Sequence, residues 1–465
     1  MQRARRSRLQ AELLRNGPVL EKFRNILNIP DLRNRILFTS GILMVYRIGG
    51  AIPTPGVDKN ALAQAFSARA RDLFAVYDLF AGGAFKQATV FALGIMPYIS
   101  ASIIFQLLGS VWAPIQQLQK EGHEGQKKIN QYTRYLTVGL SAVQSLGVSQ
   151  FLVQNGAALN PGLGFRFTVM LTMTTGTVFI MWLGEQITER GIGNGISLII
   201  FIGIVARFPH AVIGQLRQML DPDTGGVIPT VALLVLMVLT TAAVVFITQG
   251  TRRIPVRYAS QRVVGGRVYG GQSTHLPLKV NAAGVIPIIF AQSIVLVPMT
   301  VIQFAGTAAP ESGLLQAVFS WFQPTSLVYW TMYSLLIIFF SYFYTAIIFN
   351  PVDVADNLKR NNGFIPGVRP GKRTSEYIDR VLNRITLPGS VYLAAIAAFP
   401  FVVITVFEKA VRYTVVSDFH DFFGGTGLLI VVGVALDTLD KVESQLLVRH
   451  YDGFMKRGRL RSRRR

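Results

Sequence analysis

The 465-residue chain is 51% hydrophobic and only 15% charged, with a mean hydropathy of +0.40 and a formal net charge of +22. Charge this sparse lies far below the quarter typical of soluble domains, and it is kept apart from the apolar runs, which excludes an ordinary soluble enzyme. The chain has no cysteine, so disulfides, thiolate metal sites and thiol redox chemistry are excluded too.

A membrane-crossing helix takes about 20 mostly apolar residues. Ten such stretches occur, near 36–52, 90–111, 135–153, 167–187, 195–213, 228–248, 283–304, 327–349, 386–407 and 425–440. The fold class expected is therefore an all-α polytopic membrane protein. The first 35 residues are basic and amphipathic and carry no apolar h-region, so no cleavable signal peptide is expected. With the amino terminus in the cytosol, most of the 46 Lys and Arg fall on the cytosolic side, while 154–165 and 305–326 on the far side contain none. This is the positive-inside bias, and it places both termini in the cytosol. The surplus in the long loops 249–280 and 350–385 exceeds what orientation needs, which leaves room for an anionic partner.

Within the second stretch, ALGIMPYISASIIFQLL (92–108) sets Gly94, Pro97, Ser100, Ser102 and Gln106 in an apolar run. A proline inside a helix removes a backbone hydrogen bond and kinks the axis. In lipid that defect survives only against protein or a wet cavity, so Pro97 is expected to bend this span between a short pre-helix and a longer helix. Ile95 and Ile99 share one helix face, as do Ile196 and Ile200 in the fifth stretch. Their β-branched side chains are stiff, and an apolar constriction of this kind blocks ions by dewetting. On residues alone, ordinary packing is the better explanation of these isoleucines.

Other motifs exclude functions. Gly191-Ile192-Gly193-Asn194-Gly195 imitates a phosphate loop but follows a span and lacks the required spacing. Gly371-Lys372 is followed by Arg373, with Pro366 where a Walker loop needs glycine, so ATP-driven work falls to a partner. The five histidines are scattered, no catalytic set stands out, and neither metal nor cofactor is expected. Charges in these spans are expected only at their ends, at Arg47, Glu185, Glu189 and Asp437. An ion-coupled transporter would keep an ionisable group at mid-membrane. A secondary transporter with broken helices is thus the weaker alternative, and a membrane-embedded enzyme weaker still.

Five segments carry a resemblance: ATVFALGIMPYISASIIFQLL (88–108), GEQITERGIGNGISLIIF (184–201), QSTHLPLKVNAAGVIPIIFA (272–291), FNPVDVADNLKRNNGFIPGVRPGKRT (349–374) and FGGTGLLIVVGVALDT (423–438). In this order and spacing, from about residue 30 to 455, the chain closely resembles the SecY family, the channel-forming subunits of the bacterial Sec protein-export translocon. It departs in GGRVYGG, where Arg267 stands alone and many relatives have two adjacent arginines. The resemblance implies ten transmembrane helices in two pseudo-symmetric five-helix halves, a clamshell of 34–227 facing 228–446. Basic cytosolic ends (1–33 and 447–465) flank them, and a short plug helix lies near 73–88. It also implies a protein-conducting channel in the bacterial plasma (inner) membrane. Such a channel passes unfolded secretory polypeptides and releases hydrophobic segments sideways into lipid. The partners implied are SecE, SecG, the SecA motor ATPase, the translating ribosome, signal sequences with their nascent chains, and the lipid bilayer.

The same resemblance assigns residues. Ile95, Ile99, Ile196, Ile200, Ile289 and Ile430 would form the pore ring. Leu79, Phe80, Gly82, Gly83 and Phe85 would belong to the plug, whose two glycines would keep the helix marginal. Ser100, Ser102 and Gln106 would face Ser293, Val297 and Val301 across a lateral gate, held by weak interhelical bonds of about 0.6 kcal/mol each. Arg252, Arg253, Arg257, Arg262, Arg267 and Lys279 on the first long loop, with Lys359, Arg360, Arg369, Lys372 and Arg373 on the second, would dock carboxylates or rRNA phosphates. On residues alone, positive-inside charge is the better explanation for most of these. Arg369 differs, because Pro366-Gly367-Val368-Arg369-Pro370-Gly371 follows the family's loop motif throughout.

Overall fold

The computed structural model describes residues 29–58, 61–62, 78, 80–220, 226–258, 262–264, 267–269, 273–305, 321, 326–406, 419 and 426–457. A helix falls within each of the ten apolar stretches. In chain order these are α1 (Pro30–Gly49), α2 (Met96–Val111), the short α3 (Ala113–Lys120), α4 (His123–Gln154), α5 (Leu163–Arg190), α6 (Gly195–Val205) continued by α7 (Phe208–Gln218), and α8 (Val227–Thr248). There follow α9 (Ile286–Ala305), α10 (Leu327–Ile348) with α11 (Pro351–Arg360), α12 (Lys372–Val406) and α13 (Thr426–Arg457). Among the described residues six helices are long and apolar enough to cross a membrane, or seven if the bent pair α2–α3 is one span.

Pro97 does not bend a helix. Residues 90–95 form turns, and α2 begins at Met96 with Pro97 in its first turn. There the missing N–H has no partner to lose and the fixed φ suits helix entry. The sharp bend lies further on: α2 and α3 meet at 97° through Trp112, whose backbone is extended. Pro114 starts α3 in the same way. Several other helices begin on a side-chain cap: Asn194 Oδ1 accepts from the Ile196 and Ser197 N–H groups, and Asn350 Oδ1 from Val352.

The main core joins α2, α5, α6, α9, α10 and α13. α4 packs against α2 and α5 with a row of small hydroxyls four residues apart. Thr133, Thr137, Ser141, Ser145 and Ser149 are all buried, and each donates to a carbonyl three or four residues back on its own helix. Small, self-satisfied residues let helices approach closely without leaving a polar group orphaned in lipid.

The two long basic loops are not independent. β1 (Thr251–Tyr258) pairs antiparallel with β4 (Ser273–Lys279) on one side and with β5 (Gly363–Phe364) of the second loop on the other. β2 (Arg262–Val264) and β3 (Arg267–Tyr269) form a separate antiparallel pair. Along β1 the side chains alternate: Ile254 and Val256 are buried while Arg253, Pro255 and Arg257 are exposed, as a one-faced strand requires. With Leu278, Ile365, Ile378 and Leu382 they build a second, smaller core. Residues expected as charged loops thus form a small sheet resting on the first turns of α12.

Candidate pore and plug seat

The six isoleucines assigned to the ring come from four helices. Ile95 caps α2 and Ile99 lies on it; Ile196 and Ile200 lie on α6, Ile289 on α9 and Ile430 on α13. Five are buried and Ile196 is half-buried, and all belong to the main core. Their helices touch in the order α2–α9–α13–α6, and α5 packs on both α6 and α2. The Asn194 cap, with the Thr188 hydroxyl accepting from Gly195 N–H at 2.9 Å, fixes how α6 leaves α5. That fixes the direction of Ile196 and Ile200. The glycine run rejected above as a phosphate loop is this tight corner, with Gly193 at φ +83°.

α2, which carries Ser100, Ser102 and Gln106, packs directly on α9, which carries Ser293. Gln106 Nε2 donates to Ser102 Oγ at 3.1 Å, and Ser293 Oγ to the Ile289 carbonyl at 2.8 Å. Both bonds remain within their own helices. The side chains of Val297 and Val301 lie outside the described residues, as does Leu79 of the plug.

The rest of the segment expected to form the plug is compact and mostly buried. Asp78, Phe80 and Ala81 are helical, and the chain then turns. Gly82 has φ +66° and Gly83 φ +88°, and Gly83 N–H donates to the Asp78 carbonyl at 3.0 Å. This is the six-to-one bond that closes a helix on a left-handed glycine. The glycines therefore end the helix and do not merely loosen it, which corrects the expectation of a helix running to 88. Phe80, Ala81, Ala84 and Phe85 are buried. A Cβ on Gly82 would lie 2.8 Å from the Gly203 Cα on α6, and one on Gly94 would lie 3.2 Å from the Ala81 Cα. Backbone thus meets backbone on both sides, and Arg47 Nη1 on α1 reaches the Gly82 carbonyl at 3.4 Å.

Two charged residues with no role expected from the sequence, Asp78 and Arg207, meet at this segment. Asp78 is fully buried; its Oδ2 lies 3.0 Å from Arg207 Nη1 and 4.0 Å from Lys86 Nζ. Its Oδ1 accepts the N–H groups of Phe85 and Lys86 at 3.1 and 3.0 Å. Arg207, between α6 and α7, falls inside the apolar stretch 195–213, and an arginine there calls for a counter-ion. That was the available signal. Of the residues expected to dock a partner, Arg252, Arg253, Arg257, Arg369, Lys372 and Arg373 are exposed. Lys279 is paired instead with Asp440 on α13. Arg267 stands on β3.

The matching family model is SecY, over residues 89–439. The chain belongs to the SecY family. A protein translocase subunit SecY from Streptomyces scabiei is 45% identical over 450 residues, covering 94% of this chain and all of the relative. Two solved structures share the fold. One is a SecY channel described by a plug domain that stabilises the closed state and maintains a membrane seal (TM-score 0.59, 18% identity, covering 88% of this chain and 91% of that one). The other is Sec61 in a canine ribosome–channel complex (TM-score 0.57, 16% identity, the same coverage of each chain). The protein is thus a multi-pass membrane protein of the translocase-subunit family.

Proposed function

We propose that this chain is the protein-conducting channel of a bacterial plasma-membrane translocon, passing unfolded secretory polypeptides and releasing hydrophobic segments sideways into lipid. The observation that carries it is the meeting of four helices, each contributing stiff isoleucines, in one apolar core beside a separately seated plug, in a chain of the SecY family. Ile95, Ile99, Ile196, Ile200, Ile289 and Ile430 form the constriction. Apolar walls exclude ions by dewetting yet offer a moving peptide nothing to bind. The α2–α9 seam is the lateral gate, where polar groups bonded within their own helices leave packing as the main contact to part.

In this reading all ten helical stretches cross the membrane, in the halves 34–227 and 228–446, with both termini cytosolic. The exposed arginines of the β4–β1–β5 sheet face the cytosol and receive SecA or the ribosome, a use supported by the likeness to a ribosome-bound channel. SecE and SecG complete the complex, and chemical work rests with the motor, so the chain itself is no enzyme. The experiment is depletion in cells: secretory precursors should accumulate with their signal sequences uncleaved within a few generations. Normal processing of every precursor would overturn the reading. A secondary transporter would show ion-coupled uptake of a small solute in vesicles, with precursor processing unaffected.

A further inference from the structure

We infer that the Asp78–Arg207 ion pair is the latch that holds the plug closed, and that its strength sets how readily the channel opens. This rests on the plug reading above and names the groups that keep the plug seated.

The two oxygens of Asp78 have separate tasks. Oδ1 accepts from Phe85 and Lys86 N–H and so closes the plug's own loop. Oδ2 pairs with Arg207 Nη1 at 3.0 Å and ties that loop to the fifth helical stretch. One carboxylate therefore couples the plug's internal fold to its docking. Arg207 is well placed to hold still, because its backbone carbonyl accepts Ala211 N–H at 3.0 Å at the start of α7. Its side chain is 16% exposed and that of Asp78 not at all, whereas Lys86 is 36% exposed and farther away. Arg207 is the principal counter-ion.

A buried pair of this kind adds little over an apolar pair of the same volume, but removing one partner strands a charge away from water. The seat around it is largely glycine contacts and buried apolar side chains, with the half-exposed Lys86 a weaker cation 4.0 Å from Asp78. Moving the plug outward separates the pair and lets both ions regain water. The closed state is thus held by a contact that is specific when whole and self-expelling when halved.

Because the chain has no cysteine, Ala84→Cys in the buried plug gives a single thiol, reacted with a membrane-impermeant maleimide from the outer face. The full chain is assembled with its partner subunits in vesicles. In this background Asp78→Asn, which keeps an oxygen for the two N–H groups, and Arg207→Leu should each raise the resting labelling rate about tenfold. The double variant should label more slowly than the faster single, since no charge is then stranded. Arg207→Lys, which keeps the charge, should stay nearer the parent than Arg207→Leu does. Parental labelling in both single variants, effects that simply multiply in the double, or equal behaviour of the Lys and Leu variants would each overturn the latch. The plug reading is checked apart, by arresting a precursor in the Ala84→Cys channel. If labelling then does not rise, the segment is no plug and the latch falls with it. If it rises while the latch variants behave as the parent, only the latch falls.

Discussion

A methyl group is the smallest change that tests the seat. Gly82 sits in the left-handed region, which costs an L-residue about 1–2 kcal/mol, and any Cβ there meets the Gly203 backbone at 2.8 Å. Backbone cannot swing aside as a flexible side chain can. Gly82→Val should therefore unseat the plug while the helices stand, seen as raised resting conductance in planar bilayers with unchanged far-ultraviolet circular dichroism. Unaltered conductance would mean the Gly82–Gly203 contact does not hold the channel shut. The ring is tested by the converse chemistry. Ile99→Asn with Ile289→Asn places two amides among buried isoleucines of α2 and α9, and wet walls let ions pass. Leak should rise even with the plug in place. A dry, non-conducting double variant would remove these two positions from the constriction.

At the scale of helices and strands, local context decides what a residue does. Pro97 in the first turn of α2 replaces no hydrogen bond, so Pro97→Ala should shift thermal stability in detergent by less than about 1 kcal/mol. A mid-helix kink would instead involve a defect of about 3 kcal/mol, and stabilisation of that size on substitution would restore the kink reading. Val256, 2% exposed in the small second core, is the contrary case. Val256→Asp buries an unpaired charge and should open the sheet, detected as fast proteolysis within 251–279 while α1 to α7 stay protected. These two positions also show what the chain discloses unaided. Apolar length alone located the helical stretches, because lipid demands it. A proline's role depends on where the helix starts, a matter of a few residues that hydropathy does not resolve. The strands escaped notice because Arg252-Arg253-Ile254-Pro255-Val256-Arg257 presents charge first, and its alternation has meaning only once Leu278 and Ile365 cover Ile254 and Val256. Asp78 and Arg207 lie 129 residues apart, and only the fold brings them together. The five conspicuous motifs, by contrast, could be read directly from the chain.

Across the whole molecule, the residues proposed for docking and those proposed for sealing lie on separate cores, so one set should be alterable without the other. The isoleucines of the proposed ring and Phe80, Ala81, Ala84 and Phe85 of the proposed plug belong to the main core, and the basic sheet stands on the second one. Arg369 is joined to that second core by its backbone. Val368 N–H donates to the Ile365 carbonyl at 3.1 Å, and the Arg369 carbonyl accepts from Thr374 Oγ1 at 2.9 Å. Just before it, β5 is paired with β1 at Arg257–Phe364. The guanidinium is exposed on a backbone with little freedom, an arrangement suited to bidentate contact with a partner's carboxylate. Losing such a charge-assisted contact costs roughly 1.5–3 kcal/mol, and reversing the charge adds repulsion. Arg369→Glu should therefore abolish motor-driven, ATP-dependent translocation into proteoliposomes. The same preparation should keep its resting conductance, because nothing in the main core has changed. Arg369→Lys should retain part of the activity, since a single ammonium cannot form the two-pronged contact. Normal translocation by the charge reversal would show that the motor docks elsewhere, and a leak at rest would show that the two cores are coupled.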